Sequence, residues 1–239
     1  MLIVHVGLHK TGSTAIQQTL QNLHSRRKGR VNYLGAGGLV GVDREEVKNR
    51  SKRIIAETRK NSKVHVISSE NLLGRPEVMY GGAVERAESL HESLTSKIEC
   101  RVILYLRDLP SWVESVCVQM VHEGSTKPSD DVALQMADEI FFDCSIFAQS
   151  LIDVFGCENT TIRCYPKSAV IEDFLRVIGL ESEAVGIRTF TANQNIDPFQ
   201  AMVLQSISQL GDPRLSKSGR QLLQSVQSNK PHEPRSLLS

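Results

Sequence analysis

The sequence predicts an α/β domain of three layers, with helices on both faces of a central parallel sheet. Three short apolar runs, "LIVHV" (2–6), "VHVIS" (64–68) and "RVILYL" (101–106), read as strands buried on both faces. Each gives way to polar or glycine-containing residues and then to a helical pattern, the alternation of βαβ units. At 239 residues the chain suffices for one domain of this kind, and residues 1–239 are taken as a single domain.

The elements follow in order. After the first run, Ile16, Leu20 and Leu23 fall at helical spacing, with Ser13 or Thr14 expected to cap the helix start. The second run leads through "SSENLLG" to a helical stretch near Ala83 to Lys97. The third leads through "RDLP" to a helix holding Trp112, Val113, Val116 and Met120, with Pro110 near its first turn. Residues Glu123 to Asp131, polar with Gly124 and Pro128, read as a mobile loop. A fourth strand is expected at "TTIRCY" (160–165), then a helix whose Val170, Phe174, Leu175 and Ile178 share a face and which Gly179 stops. Further helical pattern follows Thr189. The polar, proline-containing end "NKPHEPRSLLS" leaves room for the natural chain to continue.

Composition excludes more than it selects. With 40% apolar residues, 23% charged and a net charge of +1, the chain is neither disordered, fibrous nor membrane-embedded. No run approaches the ~18 apolar residues of a membrane span, and the first strand is broken by His5 and Gly7 as a secretory signal would not be. Five scattered cysteines with no C-x-x-C pair suit a reducing compartment, so the cytoplasm is the expected location. Between His24 and Lys63, twelve Lys or Arg face four acidic residues. This is either a solvated helix face with a loop, or an electropositive wall for an anionic ligand. Only Tyr33 interleaves with these charges, so a nucleic-acid stacking platform is not indicated.

The loop "GLHKTGST" after the first strand carries the chemistry. Unpaired N–H groups of a first helical turn bind anions, helped by the helix dipole. Gly7 and Gly12 have the spacing of G-x-x-x-x-G-K-[ST], the phosphate loop of nucleoside triphosphatases, but Ser13 stands at the lysine position and Lys10 lies inside the loop. A transferred triphosphate group needs that lysine and magnesium to balance its charge. A phosphosulfate carries less charge and is served by one lysine and two hydroxyls.

Here the sequence resembles the sulfotransferases that use 3′-phosphoadenosine 5′-phosphosulfate (PAPS), bacterial members above all. Their 5′-phosphosulfate loop is matched by Lys10, Thr11, Gly12, Ser13 and Thr14. Their 3′-phosphate site, an arginine ending a later strand and a serine eight residues on, is matched by Arg107 and Ser115 in "YLRDLPSWVES". The resemblance runs from Met1 to about Leu180. It implies a fold like that of the P-loop nucleoside triphosphate hydrolases and transfer of a sulfuryl group to a hydroxyl of a carbohydrate, glycolipid or small metabolite. It also implies adenosine 3′,5′-bisphosphate (PAP) as product and no required metal. The basic segment would favour an anionic glycan if it borders the cleft.

In-line transfer asks the protein for positioning and charge stabilisation. Lys10 is expected to stabilise the leaving oxygen, with Ser13, Thr14 and backbone N–H groups on the 5′-phosphate. In some family members a base follows the strand preceding the arginine strand; "VISSENLL" puts Glu70 there. Glu70 otherwise reads as a residue favourable to a helix N-terminus. His9 reads as a phosphate contact or a plain loop residue. His5 and His65 read as core histidines, Trp112 and Tyr105 as core aromatics, and His122 and Glu123 as lesser candidates for the acceptor side. Lys167 imitates the loop lysine without its glycine, and Lys217 and Arg220 are left unassigned. Two other functions remain open: a magnesium-dependent P-loop kinase or triphosphatase, using Glu70 or Asp108 for the metal, and a non-catalytic PAP-binding protein.

Overall fold

A computed structural model of the chain describes residues 1–26, 29–37, 39, 44–76, 80–95, 97–122, 144–166 and 168–184. Five parallel strands form the sheet: β1 (Leu2–Val6), β2 (Val31–Tyr33), β3 (Val64–Ser69), β4 (Cys100–Leu106) and β5 (Thr160–Cys164), in the order β2-β3-β1-β4-β5. The helices are α1 (Ser13–Ser25), α2 (Arg44–Arg59), α3 (Ala83–Leu94), α4 (Leu109–His122), α5 (Cys144–Phe155) and α6 (Val170–Val177). The expected α/β architecture is therefore the one formed. The second strand and α5 were not anticipated from the sequence.

By internal packing the chain divides into two compact units, Met1–Trp112 with Met136–Gln194, and Val113–Gln135 with Asn195–Ser239. Of the second, only Val113–His122 is described, the greater part of α4; Ser115, Val116 and Cys117 are buried there.

Register explains why β1, β3 and β4 are largely apolar on both faces. Ile3 pairs with Val66 and His5 with Ser68 and Ile103, so these residues and Tyr105 line one face. Val4 pairs with Ile67 and Val102, which line the other. Both faces are covered. On the first, Ala15, Ile16, Leu20 and Leu23 of α1 and Val170, Ile171, Phe174 and Leu175 of α6 join Ile3, Val66, Ile103 and Tyr105 in one cluster. On the second, α3 packs on α5, which touches β4 and β5, and α2 packs on α3. Gly179, at φ 73°, closes α6 in a Schellman motif: Leu180 N–H donates to the Leu175 carbonyl (2.7 Å) and Gly179 N–H to that of Arg176 (3.0 Å).

A polar thread runs through this first face. Tyr105 donates to Asp173 Oδ2 (2.9 Å), and Arg163 grips both Asp173 oxygens (2.6 and 2.5 Å). Burial opposes ionisation of Asp173, but the hydrogen bonds from Arg163 and Tyr105 outweigh it and hold the carboxyl below its usual range. His5 and His65 are core histidines as expected, both fully buried. Trp112 and Tyr105 are likewise core, at 2% and 0% exposure.

The chain leaves β1 for β2, returns through β3 on one side of β1 and continues in β4 on the other. The carboxyl edge of β1 is thus where the winding direction changes, the place where open α/β sheets form a ligand crevice. The loops after β1, β3 and β4 meet there.

Candidate functional site

The loop after β1 is tightly drawn. Thr11, fully buried, donates its hydroxyl to the Leu8 carbonyl at 2.6 Å and closes the turn from within. Gly12 follows at φ 83°, left-handed backbone that suits glycine. Lys10, a half-buried residue with a β-carbon, also holds a left-handed φ of 64°, the kind of local strain that concentrates at functional loops. Contrary to the expectation of a Ser13 or Thr14 cap, Gly12 is the N-cap residue of α1 and no side chain caps it; Ser13 already belongs to the first turn. The left-handed exit from the loop starts the helix one residue earlier than a hydroxyl cap would. The first intrahelical bond runs from Ile16 N–H to the Gly12 carbonyl (3.1 Å), so the amides of Ser13, Thr14 and Ala15 precede it.

Ser13 is buried, and its Oγ has no partner among the described residues. It lies against Gly7, where a β-carbon would stand 2.2 Å from it. Thr14 is half-buried on the following position.

His9 is held from two directions. Its backbone N–H donates to the Tyr80 hydroxyl (3.0 Å), its Nδ1 lies 2.9 Å from the same oxygen, and Trp112 Nε1–H donates to its carbonyl (2.8 Å). Tyr80 is left-handed too, at φ 51°, and its ring lies tilted beside Trp112 (6.3 Å between centroids) and edge-on to Phe147 (6.0 Å).

Arg107, at the end of β4, reaches the loop: its NH1 donates to the Lys10 carbonyl at 3.4 Å, at the long end for a hydrogen bond. Its Nε–H donates to Ser111 Oγ (2.9 Å), which donates onward to Asp108 Oδ1 (2.7 Å). That bond and one from the Ser111 backbone N–H to Asp108 Oδ2 (3.2 Å), followed by the Arg107 charge, hold the exposed Asp108 carboxyl below its usual range. Arg107 itself forms no ion pair among the described residues. Its guanidinium carbon lies 5.9 Å from the Tyr165 ring centroid, and that ring abuts Gly12.

Glu70 follows β3 and is half-buried. Gln17, one turn into α1, donates its Nε2–H to Glu70 Oε2 at 2.8 Å. The Tyr33 hydroxyl, at the end of β2, donates to the Ser68 carbonyl at 3.4 Å; burial first and the Glu70 charge second raise its pKa.

The structure therefore brings His9 to Thr14, Glu70 and Arg107 to adjacent strand ends. Ser115 lies on α4 in the second unit, buried, its hydroxyl without a partner among the described residues. Glu123, Lys167, Lys217, Arg220 and the polar segment 123–131 lie outside the described residues, as does the side chain of His122. Sequence reading missed Gln17, Tyr80, Ser111 and Tyr165; Tyr80 and Tyr165 meet the loop from segments distant in the chain, while Gln17 and Ser111 lie within a turn of the loop and of Arg107. The periodicity of α1 could have flagged only Gln17, as a polar residue close behind the loop.

No family model matches the chain, and no curated protein matches it. Among solved structures it is similar to a sulfotransferase. That is the crystal structure of the sulfotransferase from Alicyclobacillus acidocaldarius, with a TM-score of 0.47 and 11% identity, covering 90% of this chain and 94% of that one. Among the described residues, no group of three or more His, Cys, Asp or Glu is arranged to hold a metal ion, and no helix is long and apolar enough to cross a membrane.

Proposed function

We propose that this protein is a sulfotransferase that moves a sulfuryl group from PAPS to a hydroxyl of a carbohydrate, glycolipid or small metabolite. The observation that supports it most is the placement of cations around the loop. The lysine sits inside the turn at Lys10, no lysine stands at position 13, and Arg107 reaches the loop from the neighbouring strand.

The loop suits a 5′-phosphosulfate by its own chemistry. The amides of the first turn of α1 and the dipole behind them favour an anion. Gly7 leaves space where a side chain would collide with Ser13. In this reading Lys10 takes up charge on the leaving oxygen, backbone amides with Ser13 and Thr14 hold the 5′-phosphate, and His9 and Thr11 shape the loop. Arg107 is assigned to the 3′-phosphate, together with Ser115 on the sequence spacing alone. Glu70 takes the proton of the acceptor hydroxyl. PAP is the product, no metal is required, the reaction takes place in the cytoplasm, and residues 1–239 act as one domain.

The test is transfer of radiolabelled sulfate from PAPS to a panel of hydroxyl acceptors, with Glu70→Gln alongside. The reading predicts metal-independent transfer by the wild type and its loss in Glu70→Gln with PAP binding retained. Unchanged transfer in Glu70→Gln places the base elsewhere; absence of both transfer and PAP binding in the wild type rejects the function.

A further inference from the structure

Glu70, half-buried after β3, is held by a neutral partner. Its only hydrogen bond among the described residues comes from a neutral amide, that of Gln17, which spans 53 positions of sequence to reach Oε2 at 2.8 Å. Oε1 has no such partner, and Glu70 forms no ion pair among the described residues. On the β2 side its neighbour is the Tyr33 phenol, which burial and the Glu70 charge keep protonated. The carboxylate is therefore oriented without being neutralised. A lysine or arginine at position 17 would hold it at least as firmly, but would oppose its taking a proton.

We propose that Gln17 is the positioning residue for Glu70: its amide pins Oε2 and turns Oε1 toward the acceptor hydroxyl. This rests on the reading of Glu70 as the base. As the acceptor oxygen bonds to sulfur, the bond from sulfur to the 5′-phosphate oxygen breaks and its electron pair leaves with PAP. The acceptor proton passes to Glu70 Oε1. Because Gln17 lies on the helix that the phosphate loop begins, the same element that receives the donor aligns the base.

Three variants test this, with PAP titration as the control for folding and for the donor site. Gln17→Met removes the donor at nearly constant volume; turnover, read as PAP released from PAPS with 2-naphthol as acceptor, should fall about tenfold or more, as for loss of one hydrogen bond to a charged group, with PAP affinity within about twofold of wild type. Gln17→Lys keeps the contact and adds an ion pair, so the melting temperature should hold or rise while turnover falls; a merely structural role predicts retained turnover. Independently of activity, the Gln17 side-chain amide signal in the proton–nitrogen NMR spectrum, assigned by its absence in Gln17→Met, should move in Glu70→Gln. An unmoved signal, or wild-type turnover in Gln17→Met or Gln17→Lys with PAP still bound, overturns this inference alone. Failure of the wild type to bind PAP removes the function reading and this inference with it.

Discussion

Replacing Gly7 by alanine is the sharpest structural test of the loop. The added β-carbon would stand 2.2 Å from Ser13 Oγ, 3.3 Å from Ser13 Cβ and 3.3 Å from His5 Cε1. The first contact is with the end of a short side chain that can rotate. The other two are not so easily relieved, because Ser13 is fixed in the first turn of α1. His5 is also fixed, by its Nδ1 bond to Ser68 Oγ (2.8 Å) and by edge contacts with Tyr105 and Phe174. Overpacking of this kind costs about 1–3 kcal/mol. For a chain of this length each kcal/mol is worth about 2–4 °C, so Gly7→Ala should melt about 2–12 °C below wild type. Ser13→Ala removes the 2.2 Å contact and leaves the others, so the double variant should recover part of the loss, a coupling of about 0.5 kcal/mol or more. Thermal unfolding by circular dichroism reads all four proteins. A Gly7→Ala melting point within about a degree of wild type, or strictly additive effects in the cycle, would refute the close approach of Gly7 to Ser13.

Other outcomes are expected. Lys10→Ala should lower turnover by about 10²- to 10³-fold with a smaller effect on PAP affinity, while Arg107→Ala should weaken PAP binding by about 10- to 100-fold; equal loss of both by each variant contradicts the division of roles. Leu20→Ala, in the α1–α6 core at 0% exposure, should cost about 2–5 kcal/mol in urea unfolding, and a cost below about 1 would place α1 off the sheet. Burial pushes His5 down to about 3, against about 6.5 in the unfolded chain, so the unfolded state takes the proton first as pH falls. The His5 contribution is full above about pH 6.5 and is lost toward pH 3, at up to about 1.4 kcal/mol per pH unit. His5→Gln should flatten that part of the stability profile between pH 7 and 5, and an identical profile in both proteins would show that His5 is not held neutral.

How much of this was legible follows from where each signal is carried. β1, β3 and β4 announce themselves because a strand buried on both faces is apolar at most positions rather than at alternate ones. β2 has three residues beside a run of cations, too short for any period to register. That run is partly structural: Arg50 donates to the Leu34 and Gly35 carbonyls and Arg59 to that of Lys97, bonds between segments that no local pattern encodes. The helix start went to Gly12 rather than to a hydroxyl because the loop leaves in the left-handed region, and capping preferences speak only to the ordinary case. In the candidate site, Lys10, Glu70 and Arg107 could be singled out because the family resemblance rests on loop spacing and strand ends, which are sequence-local. Tyr80 could not, since it matters through a partner 71 positions away, and although the helical period could flag Gln17 as a polar residue behind the loop, its partner 53 positions away could not be read.

The central claim is that the crevice is built for an adenosine 3′,5′-bisphosphate moiety rather than a triphosphate. Calorimetric titration of the protein with PAP and with ATP, each in EDTA and in magnesium, tests it most directly. The account predicts tight binding of PAP that is indifferent to metal and stronger than that of ATP. Magnesium-dependent binding of ATP with no preference for PAP would contradict it and make the loop a triphosphate site.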